Sequence, residues 1–213
     1  MMTATTETVR SAAPQTGSPE ENGARAGLYA VLSHLFHARP DVQLLRQLAA
    51  AESLIEDEAG TLGVAWRALC AAARSTDAQA AAAQFDALFV SPGQPAVSLY
   101  ASSYMSGRRR GQLLAELRDD LTSLGYARAA ESTEYEDHLA ALFDVMRGLI
   151  ADEAQDPEAF ARQREFFLAY VAPWTSRLFE KVAAASADAE LYRCAAGFAD
   201  AFITHETQYF DLA

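Results

Sequence analysis

A regular apolar stripe at residues 139–150 constrains the fold of this chain most strongly. Its members recur at i, i+3, i+4, i+7, i+10 and i+11, and they are Leu139, Leu142, Phe143, Met146, Leu149 and Ile150. This spacing places them on one face of an α-helix. Thr133, followed three residues later by Glu136, has the form of a capping box. We therefore expect this helix to begin at Thr133.

Stripes with the same helical period recur through the rest of the chain. No segment shows the alternation of apolar and polar residues that is typical of a half-buried strand. Proline and glycine are sparse, at 7 and 11 residues, which favours helix. We predict an all-α protein, a single globular bundle of about nine helices at residues 23–213, after a disordered leader at 1–22. Gly125 is expected to end one helix, and Pro173 to break another.

One irregular segment, residues 91–111, divides the predicted domain into an N-terminal and a C-terminal helical part. Two prolines, three glycines and five serines prevent a continuous helix there. The segment also contains Val97, Leu99, Tyr100, Tyr104 and Met105, which is more apolar than a solvated linker. Two interpretations stay open: a functional loop, or an irregular segment packed across the core.

The composition argues against several classes of protein. The net charge of -12 would repel a nucleic-acid backbone and attract a basic peptide. The two cysteines, Cys70 and Cys194, fall on apolar stripes, so we interpret them as core residues rather than as a disulfide framework. No apolar run is long enough to span a membrane, and the leader lacks the apolar region of a secretory signal. We expect a cytoplasmic protein.

Polar side chains cluster at the predicted start of the 133–150 helix. Glu134, Glu136, Asp137 and His138 lie within five consecutive positions. At about 100° per residue, Asp137 would point away from the apolar stripe, and His138 would lie at its edge. We therefore expect Asp137 to face solvent or another surface, as an exposed carboxylate of a docking site would. The acidic residues either complement the helix dipole or form a docking site.

The histidines do not suggest a metal site. A pair of ligands one turn apart on the 133–150 helix would need a second histidine beside His138, and the sequence has none there. His34 and His37 lie opposite the apolar stripe of their helix, so we expect them to be solvated. His205 continues an apolar stripe and is expected in the core. We predict no metal and no cofactor.

Catalytic motifs are also missing from the sequence. It has neither a nucleophile elbow nor a phosphate-binding loop. The arginine triplet at 108–110 is either a solvated turn or a contact for a phosphate or an acidic partner. One alternative function is a small all-α nucleotide hydrolase, or another enzyme, that uses Asp137 and His138 as an acid–base pair. A further alternative is a non-catalytic helical scaffold.

Four segments occur in an order that resembles the TorD/DmsD/NarJ-type redox-enzyme maturation chaperones. They are FDALFVSPG (85–93), VSLY (97–100), EYEDHLA (134–140) and FFLAYVAPW (166–174). The resemblance extends from about Leu28 to the C-terminus. The E-x-x-D-H pattern of that family matches Glu134, Asp137 and His138, and its S-x-Y loop matches Ser98 and Tyr100.

The resemblance implies a cytoplasmic chaperone that is not an enzyme. Such proteins bind the twin-arginine signal peptide or the apo catalytic subunit of a molybdopterin oxidoreductase, assist cofactor insertion and delay export. Weak GTP binding and a homodimer are left open. The residues predicted to bind the peptide or client are Glu134, Asp137, His138, Ser98, Leu99, Tyr100, Phe89 and Pro92.

The chemistry of such a signal peptide fits these residues. A basic segment followed by an apolar one requires exposed carboxylates beside an apolar groove, and arginine can pair with a carboxylate through two hydrogen bonds. An exposed pair contributes only about 1 kcal/mol, so the groove must supply most of the affinity. We expect replacement of Asp137 and His138 by alanine to weaken peptide binding and to leave the melting temperature nearly unchanged.

Overall fold

The computed structural model describes residues 17–55, 59–90, 93–105, 110–128, 134–152 and 158–212. The regular secondary structure in these ranges is helical, apart from one isolated β-bridge, so the all-α prediction is confirmed. The helices are α1 Pro19–His37, α2 Val42–Ala50, α3 Thr61–Ser75, α4 Ala78–Phe89, α5 Arg110–Ser123, α6 Leu139–Asp152, α7 Ala159–Phe166, α8 Ala172–Ala185 and α9 Glu190–Leu212.

Helix α1 begins earlier than the composition of the leader suggests. Ser18 caps it, because its hydroxyl accepts a hydrogen bond from the Glu21 amide at 3.2 Å. Pro19 is the first helical residue, and acidic residues fill the first turn. Residues 19–22 are therefore helical rather than part of a disordered leader, whereas residues 1–16 lie outside the described part of the chain.

The core lies between α1, α6 and α9. Helix α1 packs along α6, and α9 packs against both α3 and α8. The predicted stripe at 139–150 is buried at every position. The largest fully buried side chains in the described ranges come from several helices, and they include Trp66, Trp174, Tyr29, Tyr192, Phe36, Phe143, Phe167, Phe198, Phe202 and Phe210. Burial of apolar side chains such as these is the dominant favourable contribution to folding.

The predicted helix break at Pro173 is wrong. Helices α7 and α8 are joined by a π-helical turn at Phe167–Val171 into one continuous rod. The amide of Ala172 donates to the carbonyl of Phe167, five residues earlier. A prolyl ring clashes with the preceding turn of a regular helix, and the wider turn directly before Pro173 relieves that clash. By contrast, the predicted stop at Gly125 is confirmed, because its φ of 80° is the left-handed conformation of a helix C-cap.

Near the C-terminal end of helix α9, the buried residue is not the one that we predicted. His205, which we expected in the core, is exposed, and the neighbouring Glu206 is fully buried. The guanidinium of Arg25 donates to both carboxylate oxygens of Glu206, at 2.8 Å each. The hydroxyl of Tyr29 donates to the same carboxylate at 2.9 Å. A buried carboxylate needs such partners, and this ion pair fixes the orientation of α9 against α1.

The two cysteines are free thiols, as the sequence predicts. Cys70 is buried and Cys194 is half-buried. Burial raises the pKa of Cys70 to about 11, so its thiol is protonated at neutral pH. His34 and His37 are exposed, in agreement with the sequence.

Candidate functional site

Two motifs that are distant in the sequence meet on the surface of the fold. We call residues 98–105 the strap and residues 134–138 the turn. The amide of Ala101 donates to the carbonyl of Asp137, and the amide of Leu139 donates to the carbonyl of Leu99, both at 2.9 Å. These bonds flank an antiparallel bridge between Tyr100 and His138. The S-x-Y and E-x-x-D-H motifs therefore form one unit.

Helix α6 begins at Leu139, after the polar cluster rather than before it. Residues 134–138 are not helical, and Thr133 lies outside the described residues. The predicted start at Thr133 is therefore wrong for residues 134–138. The later start of α6 is explained by the strap. The carbonyl of Leu99 accepts a hydrogen bond from the amide of Leu139, the first residue of α6. A capping box is not needed for that amide once a distant carbonyl accepts it.

Asp137 is fully buried, in contrast to the exposed position that we predicted. That prediction assumed helical geometry, whereas the turn directs the side chain inward. Its Oδ2 accepts a hydrogen bond from the Ser102 amide at 3.0 Å. Its Oδ1 has no partner among the described residues. Asp137 thus ties the strap to the turn and is not open to a ligand.

Replacement of Asp137 by alanine is expected to destabilise the fold by about 1–3 kcal/mol, because the Ser102 amide loses its acceptor. This replaces the expectation of an unchanged melting temperature. Urea unfolding of the purified protein measures the effect. Asp144→Ala is the matched control, because that carboxylate is 53% exposed. Equal stability of Asp137→Ala and the control would contradict the tethering role.

His138 is also buried, and it is held in an aromatic environment. Its Nδ1 accepts a hydrogen bond from the Ala140 amide at 3.2 Å. The imidazole meets the ring of Tyr100 edge to face, with centroids 5.1 Å apart. Burial lowers its pKa to about 4, although Glu134 and Asp137 act in the opposite direction. His138 is therefore neutral at pH 7, and with so low a pKa it is a weak general base.

Three aromatic and acidic side chains lie on the outer side of this unit: Tyr100 and Glu134 are half-buried, and Tyr135 is exposed. The hydroxyl of Tyr100 donates to the Glu134 carboxylate, and the pKa of Tyr100 is raised by burial and by this bond. Tyr135 is 45% exposed. Its ring lies 6.4 Å from the ring of Tyr100, at an angle of 68°. The carboxylate of Glu134 and the rings of Tyr100 and Tyr135 thus lie together on one side of the unit.

A cleft of about 390 Å³ adjoins these residues between α5 and α6. Leu121, Tyr126, Ala141 and Val145 supply its apolar lining, while Glu134, Tyr135, Glu136, Asp144, Arg128 and Arg147 supply the polar lining. Glu136 accepts two hydrogen bonds from Arg118, at 2.9 and 3.0 Å. That interaction lowers the pKa of Glu136 and keeps it ionised.

The other predicted residues within the described ranges are at least half-buried. Leu99 is buried, and Phe89 is half-buried against Phe36 and Tyr192. Ser98 is half-buried, with its Oγ 2.7 Å from that of Ser103. Pro92 lies outside the described residues. Ala101 and Tyr104 of the strap are also buried, as is Val97 just before it. The strap is therefore anchored as a segment packed across the core, and its Tyr100 is half-buried.

The α5–α6 cleft and Tyr135 were missed in the sequence analysis. Tyr135 stands inside the E-x-x-D-H motif, but its exposure depends on the non-helical turn. The cleft forms where the end of α5, residues 126–128 and the turn meet α6, an arrangement that the sequence does not specify. Among the described residues, no group of three or more His, Cys, Asp or Glu side chains could hold a metal ion.

Comparison with solved structures identifies the fold. The chain is similar to the crystal structure of an Archaeoglobus fulgidus protein assigned to redox enzyme maturation. The TM-score is 0.55 at 18% sequence identity, over 91% of this chain and 96% of that one. An identity this low shows a shared fold only. The two proteins thus share an all-α architecture.

Comparison with family models identifies the family. The model described as nitrate reductase delta subunit matches residues 55–180, which is more than half of the chain. This chain belongs to that family, the NarJ/TorD-type maturation chaperones, and the resemblance stated above is confirmed. Comparison with curated proteins finds no match. None of the helices in the described ranges is both long and apolar enough to cross a membrane.

Proposed function

We propose that this protein is a cytoplasmic chaperone that binds the signal peptide or the apo catalytic subunit of a molybdopterin-dependent oxidoreductase. In this role it assists cofactor insertion and delays export. One observation carries the proposal: the two family motifs are hydrogen-bonded into a single unit that presents Tyr100, Glu134 and Tyr135 beside the α5–α6 cleft. A basic and apolar peptide fits this combination of charge, aromatic faces and apolar lining.

The burial of Asp137 and His138 changes their proposed roles. Both belong to the motif, but neither side chain is open to a ligand. We assign them to holding the strap against the turn, and we assign peptide contact to Tyr100, Glu134 and Tyr135. The alternative of an acid–base enzyme loses support for the same reason, because both side chains are buried and the pKa of His138 is about 4.

The proposal predicts that Glu134→Gln and Tyr135→Ala each raise the Kd of a signal-like peptide about 5- to 30-fold, equivalent to about 1–2 kcal/mol. Glu134→Gln removes the charge and keeps an acceptor for the Tyr100 hydroxyl. Fluorescence anisotropy with a labelled peptide, two adjacent arginines followed by an apolar stretch, measures the change.

The controls separate the site from the general charge of the protein. Glu52→Gln also removes one exposed carboxylate, which belongs to the Arg74 pair on another part of the surface. It should leave the Kd within about 2-fold of wild type. Equal effects of Glu52→Gln and Glu134→Gln would contradict a local site. Failure of wild-type protein to bind any such peptide would reject signal-peptide binding.

A further inference from the structure

An arginine of this chain, Arg110, lies against the rings of Tyr100 and Tyr135. Arg110 is the first residue of α5. Its guanidinium carbon lies 4.7 Å from the ring centroid of Tyr135 and 5.7 Å from that of Tyr100. Both distances are within the range of cation–π attraction. The carboxylate of Glu134 adjoins the same rings through its bond to the Tyr100 hydroxyl.

This arrangement matches the chemistry of a guanidinium rather than that of an ammonium. A guanidinium is planar and weakly hydrated, so it stacks on aromatic faces while its N–H groups reach a carboxylate. Tyr100 and Tyr135 stand at 68° to each other and offer two faces to one cation. Lysine would gain less from the same surface, because its ammonium is compact and strongly hydrated.

The position of Arg110 in its helix is electrostatically unfavourable. The N-terminus of an α-helix carries partial positive charge, which disfavours a cation in the first turn. The contacts with the two tyrosines offset this effect. Arg110 is also exposed. Its guanidinium is therefore held against the two rings by cation–π attraction and not by packing in the core.

We propose that Tyr100, Tyr135 and Glu134 form an arginine-recognition site for the client peptide, and that Arg110 occupies this site as an internal competitor. The inference rests on the proposed function and deepens it. An arginine of the peptide binds only after the Arg110 side chain moves aside. The apparent affinity is reduced by the fraction of time that Arg110 occupies the site, and a tethered side chain competes at a high effective concentration.

Removal of the competitor provides the first test. Arg110→Ala is expected to lower the Kd of the two-arginine peptide about 3- to 10-fold. The peptide with both arginines replaced by lysine should gain less than 2-fold. Arg74→Ala is the matched control, because it changes the net charge equally. Arg74, on α3, pairs with Glu52, which follows α2. An unchanged or increased Kd in Arg110→Ala, or an equal gain for both peptides, would overturn the inference.

A second measurement examines the site without a client peptide. N-acetyl-arginine amide is titrated into each protein, and the ring signals of Tyr100 and Tyr135 are followed by NMR. We expect shifts at several-fold lower concentration in Arg110→Ala than in wild type, and weaker shifts with N-acetyl-lysine amide. Absence of ring shifts in Arg110→Ala would overturn the inference. Ring shifts without any peptide binding would instead reject the proposed function and leave the arginine site standing.

Discussion

Replacement of Glu206 by leucine is expected to lower the free energy of unfolding by about 3–5 kcal/mol. The substitution leaves Arg25 buried, at 4% exposure, without its counter-ion. Burial lowers the pKa of Arg25, but the hydrogen bonds and charge of Glu206 outweigh burial and leave it raised, so Arg25 stays protonated. The hydroxyl of Tyr29 loses its acceptor as well. Chemical denaturation at neutral pH measures the change.

Two controls test whether the loss comes from the unpaired buried charge of Arg25. The double variant Arg25→Met/Glu206→Leu removes both charges and should recover most of the loss, because an apolar pair of similar volume can replace a buried ion pair. Glu52→Gln disrupts an exposed pair with Arg74 and should change stability by less than about 1 kcal/mol. A similarly small effect for Glu206→Leu would show that the buried network does not determine the packing of α9 on α1.

Acidification is expected to destabilise the protein between pH 6.5 and 4 through His138. Its pKa falls from 6.5 in the unfolded chain to about 4 in the fold. In this window the unfolded state binds a proton that the folded state does not, so stability falls as the pH falls. At 1.36 kcal/mol per pH unit, the loss is about 3 kcal/mol at pH 4. Above pH 6.5 the imidazole is neutral in both states, and this contribution is constant.

Denaturation curves at pH 7, 6, 5 and 4 measure this effect. His138→Gln keeps an acceptor for the Ala140 amide but does not titrate, so its stability should be nearly flat between pH 6.5 and 4.5. The groups that face the imidazole are Glu134, Asp137, His37 and Tyr100. Glu136 contributes only below its ordinary pKa of 4.5, because Arg118 lowers its pKa. A wild-type curve parallel to that of His138→Gln would contradict the assignment.

Local patterns in the sequence determined most of the helical architecture. The stripe at 139–150 is buried as predicted, because a helical period fixes which residues share a face whatever they pack against. The stop at Gly125 is confirmed, since a left-handed C-cap needs only the local backbone. The order of the four motifs was sufficient to indicate the family, and the family model confirms it.

Predictions that depended on distant partners were wrong. The start at Thr133 and the exposure of Asp137 were both derived from helical geometry, and the strap overrides that geometry through Ser102 and Leu99. The break at Pro173 was predicted from the cyclic side chain alone, whereas packing holds the rod together through a π-helical turn.

The sequence by itself determined most of the helical segments and the residues that belong to the two motifs. Only the tertiary structure decided which polar groups are buried and which are presented. It pairs Glu206 with Arg25 and places the guanidinium of Arg110 on Tyr135. The physical reason is that helical periodicity is a property of neighbouring residues. A buried or stacked charge is stabilised by partners that the folded chain brings from other helices and loops.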